Sequence, residues 1–214
     1  MNSKIFEQLF KSWYPYLKDD LINSDYYKNL FLFLNEIYKQ RLVYPEKKNI
    51  FKAFQLTNFN DLRVVIIGDE PYNNNKSTGL CFANEDNIRE SSFSPYLLKI
   101  KDYLEENLYD GLYLNFDPTL EHWCKQGILP LNTALTIEKD RSHIKYWNRF
   151  TKDIVSIINQ YKTGIIFCLI GENVKSFKSL INPKIHHILE DEFPYKEINN
   201  IIEKTNGKSE KISW

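Results

Sequence analysis

Glycine, methionine and cysteine are scarce in this chain of 214 residues, which holds 7 Gly, 1 Met and 3 Cys. So few glycines exclude collagen-like and flexible low-complexity architectures. The cysteines, Cys81, Cys124 and Cys168, lie more than forty residues apart. No C-x-x-C zinc pair can be drawn from them, and their odd number argues against a disulfide framework. They read as small hydrophobes in a reducing compartment, so a cytoplasmic protein with no metal and no cofactor is expected. An excess of one charge is also missing, since Lys+Arg and Asp+Glu balance at 28 each. A DNA-binding domain usually carries a basic surplus, because phosphate neutralisation supplies much of its affinity. No apolar run approaches the roughly 20 residues of a membrane span. Met1 to Trp13 is charged and aromatic, without the apolar centre of a signal peptide.

What is present describes a folded protein. Apolar residues make up 43% and aromatics 15%, enough for a substantial core. No repeat or Pro/Gly/Ser linker divides the chain, so a single domain over residues 1–214 is expected. The first 45 residues read as helices with aromatic faces, Tyr26, Leu30, Leu32 and Phe33 recurring near helical spacing. Short apolar runs then alternate with longer amphipathic ones. Leu62–Gly68, Gly127–Asn132, Gly164–Gly171 and Ile185–Leu189 predict strands. Pro95–Leu108 and Trp147–Tyr161 predict helices, the second with Phe150, Ile154, Ile157 and Ile158 on one side. Strands separated by helices predict parallel β-α-β crossovers. Ligands in such sheets bind at the carboxyl ends of the strands. Those ends are Gly68–Asn73, Asn132, Gly171–Asn173 and Glu190–Pro194.

At those four loops the motifs become specific. Val64 to Tyr72 reads V-V-I-I-G-D-E-P-Y, followed by G-L-C-F at Gly79 to Phe82. Trp123 to Thr136 reads W-C-K-Q-G-I-L-P-L-N-T-A-L-T. Ser142, His143, Trp147, Phe150 and Thr151 form S-H…W-x-x-F-T, and H-H-I-L and I-S-W stand at His186–Leu189 and Ile212–Trp214. Upstream, Tyr44 to Phe54 reads Y-P-E-K-K-N-I-F-K-A-F. In this order, from about residue 12 to the last, the motifs resemble those of family-1 uracil-DNA glycosylase. The resemblance implies a three-layer α/β/α fold with a central four-stranded parallel sheet. It also implies hydrolysis of the bond between uracil and deoxyribose, on a base flipped out of the helix. Phe82 then corresponds to the stacking face for uracil, and Tyr72 to the wall that rejects the thymine methyl. Asn132 corresponds to the amide that offers one donor and one acceptor to the pyrimidine edge.

Several positions depart from the family's pattern. Glu70 stands where the resemblance places the catalytic Asp, and the added methylene displaces the carboxylate. A misplacement of about 1 Å can cost on the order of 10²-fold. Asp69 replaces the preceding Gln and sets two carboxylates side by side. Phe193 occupies the place of the histidine that hydrogen-bonds the departing base, and phenyl has no donor. Loss of such a donor costs about 3–4 kcal/mol. The leucine wedge loop after Pro194 is absent. Tyr96 stands for a phosphate-binding serine, and Gly171-Glu172 for a Gly-Ser phosphate contact. With Glu190, Asp191 and Glu192, Glu172 would form an acidic rim on the side that the resemblance turns toward phosphates. Like charges about 6 Å apart in water repel by about 0.7 kcal/mol each.

These departures predict uracil release at least ~10⁴-fold below that of an ordinary family member. The leading expectation is a uracil-DNA glycosylase fold that has lost ordinary excision and works by binding a protein partner. A replication or repair component, or a glycosylase inhibitor, would fit. DNA binding is then weak or absent, and the chain is a monomer or part of a heterocomplex. The alternatives are an active, divergent glycosylase with Glu70 in the carboxylate role, and a pocket that senses a free base or nucleotide.

Overall fold

Val64–Gly68, Ile128–Asn132 and Ile166–Leu169 are buried along their whole length, as strands covered by helices on both faces must be. The computed structural model describes residues 3–111 and 115–214. The N-terminal part is helical: α1 (Ser3–Phe10), α2 (Tyr14–Asn23) and α3 (Asp25–Gln40). Strand β1 (Val43–Tyr44), helix α4 (Lys52–Leu56) and strand β2 (Val64–Gly68) follow. Helices α5 (Pro95–Leu108) and α6 (Glu121–Lys125) lead to β3 (Ile128–Asn132). Two short strands, β4 (Ile137–Glu138) and β5 (Arg141–Ser142), precede α7 (Ile144–Tyr161) and β6 (Ile166–Leu169). A 3₁₀ stretch at Asn173–Leu180, β7 (His187–Leu189) and α8 (Tyr195–Asn206) complete the order.

The main sheet is parallel, in the order β3-β2-β6-β7. With helices around it, this is the expected three-layer α/β/α arrangement. Strand β3 lies at its edge, where proline is tolerated because no ladder N–H is demanded of it. Pro130 sits there opposite Ile66, and its carbonyl accepts from the Cys81 backbone N–H at 3.1 Å. That bond ties the Gly79–Phe82 segment to the sheet. The register also aligns Gly68 with Asn132, so β2 and β3 end side by side.

Aromatic side chains supply much of the packing. Phe150 of α7 meets Phe54 at 5.6 Å, Phe10 and Tyr27 at 6.1 Å and Phe51 at 6.2 Å between ring centroids. Another cluster joins Tyr195 of α8 to Trp214 at 4.8 Å, Trp123 at 5.5 Å and Tyr103 at 5.9 Å. Edge and tilted contacts of this kind add stabilisation beyond burial alone. The small antiparallel sheet β1-β4-β5 was not expected from the sequence, because two-residue strands leave no periodicity to read. Among the described residues no helix is long and apolar enough to cross a membrane.

Candidate active site

Strand β2 stops at Gly68, and the missing side chain is what lets the site assemble. A Cβ there would lie 2.3 Å from Cys81 Sγ, 3.1 Å from Phe82 Cζ and 3.3 Å from Asn132 Oδ1. Phe82 itself adopts a left-handed φ of 67°, a conformation that costs energy in a bulky residue and recurs at functional sites. Tyr72 supports it from ten residues earlier in the chain, its hydroxyl donating to the Phe82 carbonyl at 3.3 Å. Burial pushes the Tyr72 phenol up to about 12, so it remains a neutral donor at physiological pH. Burial likewise raises the Cys81 thiol, which therefore stays protonated and unreactive.

These residues border a cleft of about 510 Å³ at the strand ends. Glu70, Tyr72, Phe82, Tyr96 and Asn132 line it together. Among the described residues the Asn132 carboxamide has no partner in the chain, although Asn132 is 6% exposed. Its donor and acceptor are therefore available to a ligand that carries the complementary pair.

Asp69 borders the same cleft, but its carboxylate has a different task. Its Oδ1 accepts from the Asn173 N–H at 2.8 Å and its Oδ2 from the Glu172 N–H at 3.2 Å. The two adjacent carboxylates thus diverge: Asp69 holds the turn after β6, and Glu70 takes a hydrogen bond from Ser142 Oγ at 2.7 Å. Gly171 allows the Asp69 contact, since a Cβ there would meet Asp69 Cγ at 2.5 Å. Asn73 turns away as well, donating to the Lys139 carbonyl at 2.8 Å.

Phe193 does not line the cleft. It stacks against Tyr103 at 5.2 Å and Tyr96 at 5.9 Å, and Tyr96 in turn stacks on Phe82 at 4.4 Å. The ring that replaces a polar residue is thus the third member of a row of stacked rings that starts at Phe82. Tyr96, expected as a lost phosphate contact, is the second. Its hydroxyl donates to the Glu192 carbonyl at 3.0 Å, and burial raises its phenol.

The acidic rim is paired. Lys175 meets Glu172 at 2.7 Å, Lys99 meets Glu192 at 3.6 Å, and Lys178 binds Glu190. Exposed pairs of this kind add little stability, yet they cancel much of the local charge. The expected repulsion of phosphate assumed unpaired carboxylates, and for these three that premise fails. Asp191 is exposed and adjoins them. The Glu172–Lys175 spacing was legible in the sequence; the other two pairs join distant segments. Ser142 was noted only as part of a motif, with nothing to link it to Glu70. No group of His, Cys, Asp and Glu among the described residues could hold a metal ion.

No family model matches the chain. Whole-chain relatives are nevertheless clear. The uracil-DNA glycosylase of Mycoplasmopsis pulmonis is 36% identical over 97% of both chains. That of Clostridioides difficile is 34% identical over 96% of both. The uracil-DNA glycosylase of Buchnera aphidicola is 35% identical, covering 86% of this chain and 83% of its own. Among solved structures, mimivirus uracil-DNA glycosylase superposes with a TM-score of 0.82 at 19% identity, covering 96% of this chain and 87% of that one. A mimivirus UNG variant in complex with UGI gives 0.83 at 19% identity, covering 97% and 89%. At that identity the structures show the fold alone. The relatives correct the leading expectation of a lapsed enzyme that acts through a protein partner. Proteins this similar over nearly the whole length carry the name uracil-DNA glycosylase, and nothing in the cleft shows that excision has been lost. This chain belongs to the uracil-DNA glycosylase family.

Proposed function

We propose that the protein is an active glycosylase that hydrolyses the N-glycosidic bond of uracil in DNA, with Glu70 in the carboxylate role. One observation carries the reading. A carboxylate, an unpartnered carboxamide and an aromatic face, from Glu70, Asn132 and Phe82, line one cleft at the adjoining ends of two strands. Phe82, in a row of rings with Tyr96 and Phe193, offers aromatic surface for an extruded base to stack on. Asn132 offers a donor to a uracil carbonyl and an acceptor to the neighbouring ring N–H. Tyr72 borders the same space and excludes the thymine methyl by volume.

In the reaction the C1′–N1 bond breaks and the sugar develops positive charge. The Glu70 carboxylate opposes that charge in a site partly shielded from water, where electrostatic stabilisation is strong. Water then adds its hydroxyl to C1′ and supplies a proton to the departing base. Negative charge on that base spreads over its carbonyls, and the Asn132 amide donates to one of them. Without a histidine at position 193, more of this load falls on Asn132.

The direct test is release of free uracil from single-stranded uracil-DNA, which avoids the cost of unpairing a duplex. Release is expected from the unmodified chain, and Glu70→Gln should slow it at least about 100-fold. No release above the uncatalysed rate, or an unaffected Glu70→Gln variant, would refute the reading.

A further inference from the structure

Glu70 is a long, flexible side chain on a loop, and a carboxylate must be held still to act on one bond. Its observed anchor is Ser142. The Ser142 Oγ lies 2.7 Å from Glu70 Oε1 and 3.2 Å from the Ile144 backbone N–H. The amide can only donate, so Oγ is its acceptor. The hydroxyl has a single proton, and that proton is directed to the carboxylate. Among the described residues Glu70 Oε2 has no partner in the chain and remains available to a ligand.

The anchor itself is fixed from below. Ser142 closes β5, which pairs with β4 through Ile137. The next residue, His143, is fully buried. With its proton on Nε2, His143 donates to Glu138 Oε1 at 3.1 Å and accepts from Thr136 Oγ1 at 2.9 Å through Nδ1. Thr136 also receives the Trp147 indole N–H at 2.7 Å. A fully satisfied buried network of this kind rigidifies its surroundings. The exposed Ser142 hydroxyl is thus carried on a stiff support although it lies at the surface.

We infer that Ser142 is a positioning residue for catalysis: it holds the Glu70 carboxylate in place, and this chain needs it because its carboxylate is a glutamate. The inference rests on the proposed glycosylase activity. Shortening Glu70 to Asp withdraws the carboxylate by about 1.5 Å. A contact of 2.7 Å would then exceed hydrogen-bond reach. Ser142 should therefore matter with Glu70 present and hardly matter with Asp there.

The test is a double-mutant cycle read by single-turnover uracil release and steady-state kinetics on single-stranded uracil-DNA. Ser142→Ala should lower kcat by roughly 10- to 100-fold with KM changed less than about twofold. Ser142→Thr, which keeps the hydroxyl, should restore most of the loss. In a Glu70→Asp background, Ser142→Ala should change kcat less than about threefold. Thermal melts of each variant establish that the fold is retained. An unchanged kcat in Ser142→Ala, an effect confined to KM, or an equal loss in the Glu70→Asp background would each overturn the inference and leave the glycosylase reading standing. A wild-type chain that releases no uracil would overturn both.

Discussion

At Asn132 a carboxamide faces the cleft, and what distinguishes it from a carboxylate is a donor. Asn132→Asp would remove that donor and add a further negative charge to the cleft beside Glu70 and Asp69. Uracil release should fall by about 10²–10³-fold, the usual cost of losing one such donor, as measured by single-turnover release from single-stranded DNA. In the proposed reading Tyr72 works by bulk. Tyr72→Ala should open space beside Phe82 and also remove the hydroxyl bonded to its carbonyl. The expected result is measurable release of thymine from thymine-containing single strands, together with slower release of uracil; equal exclusion of thymine would show that the wall lies elsewhere. The chemistry of both positions was legible in the sequence, since amide and phenol groups at motif positions carry their own hydrogen-bonding options. The orientation of the Asp69 carboxylate was not. Side chains at adjacent positions can point to different partners, and those of Asp69, Glu172 and Asn173, are more than a hundred residues away.

Among the elements, the turn after β6 depends on a single glycine. Gly171 has φ +132°, and a Cβ there would press on the Asp69 carboxylate at 2.5 Å. Gly171→Ala is expected to destabilise the fold by about 1–3 kcal/mol, read as a lowered denaturant midpoint. Adding Asp69→Ala should relieve the clash, so the pair should be less damaging than the sum of the two single changes. Strict additivity would show that the contact is not the source of strain. Helix α5 was readable to its ends, because Pro95 is favoured in the first turn of a helix and the apolar spacing persists to Leu108. Helix α7 begins three residues before the expected Trp147; Ser142, accepting from the Ile144 N–H, starts it earlier than the apolar pattern alone indicates.

For the whole molecule, zero net charge conceals local pairing. Lys175→Ala with Lys178→Ala would leave Glu172 and Glu190 without their partners. Affinity for a short uracil-containing single strand should fall, and the fall should be larger in low salt, where exposed charges are least screened. Fluorescence anisotropy at two ionic strengths checks it, and no change would mean that DNA does not approach this rim. Alkaline stability follows from the buried phenols. Burial raises Tyr26 and Tyr72 from the ordinary value of 10.0 to about 12. The folded form therefore holds protons that the unfolded chain releases. Stability from these groups is full below pH 10 and should fall as pH rises from about 10 to 12. Denaturant midpoints at pH 8 and pH 11 should show the drop; a flat profile would mean that the phenols ionise without opening the fold.

The sequence by itself determined the parallel sheet, the order of its strands along the chain and the four loops at their carboxyl ends, because continuous apolar runs and helical spacing are local signals. It also carried Glu70, Tyr72 and Asn132 to those loops, and Phe82 to the G-L-C-F segment that follows the first of them. Substitutions read singly, at Phe193, Tyr96 and the acidic rim, suggested an enzyme taken apart. Only the tertiary structure decided what each replacement does. Phe193 and Tyr96 stack into a row of rings with Phe82, lysines from α5 and the 3₁₀ stretch pair the rim, and Ser142 reaches Glu70 across 72 positions. Each of these is a contact between separate elements or loops of the fold. Its energy depends on distance and direction in space, which residue identity and spacing do not encode.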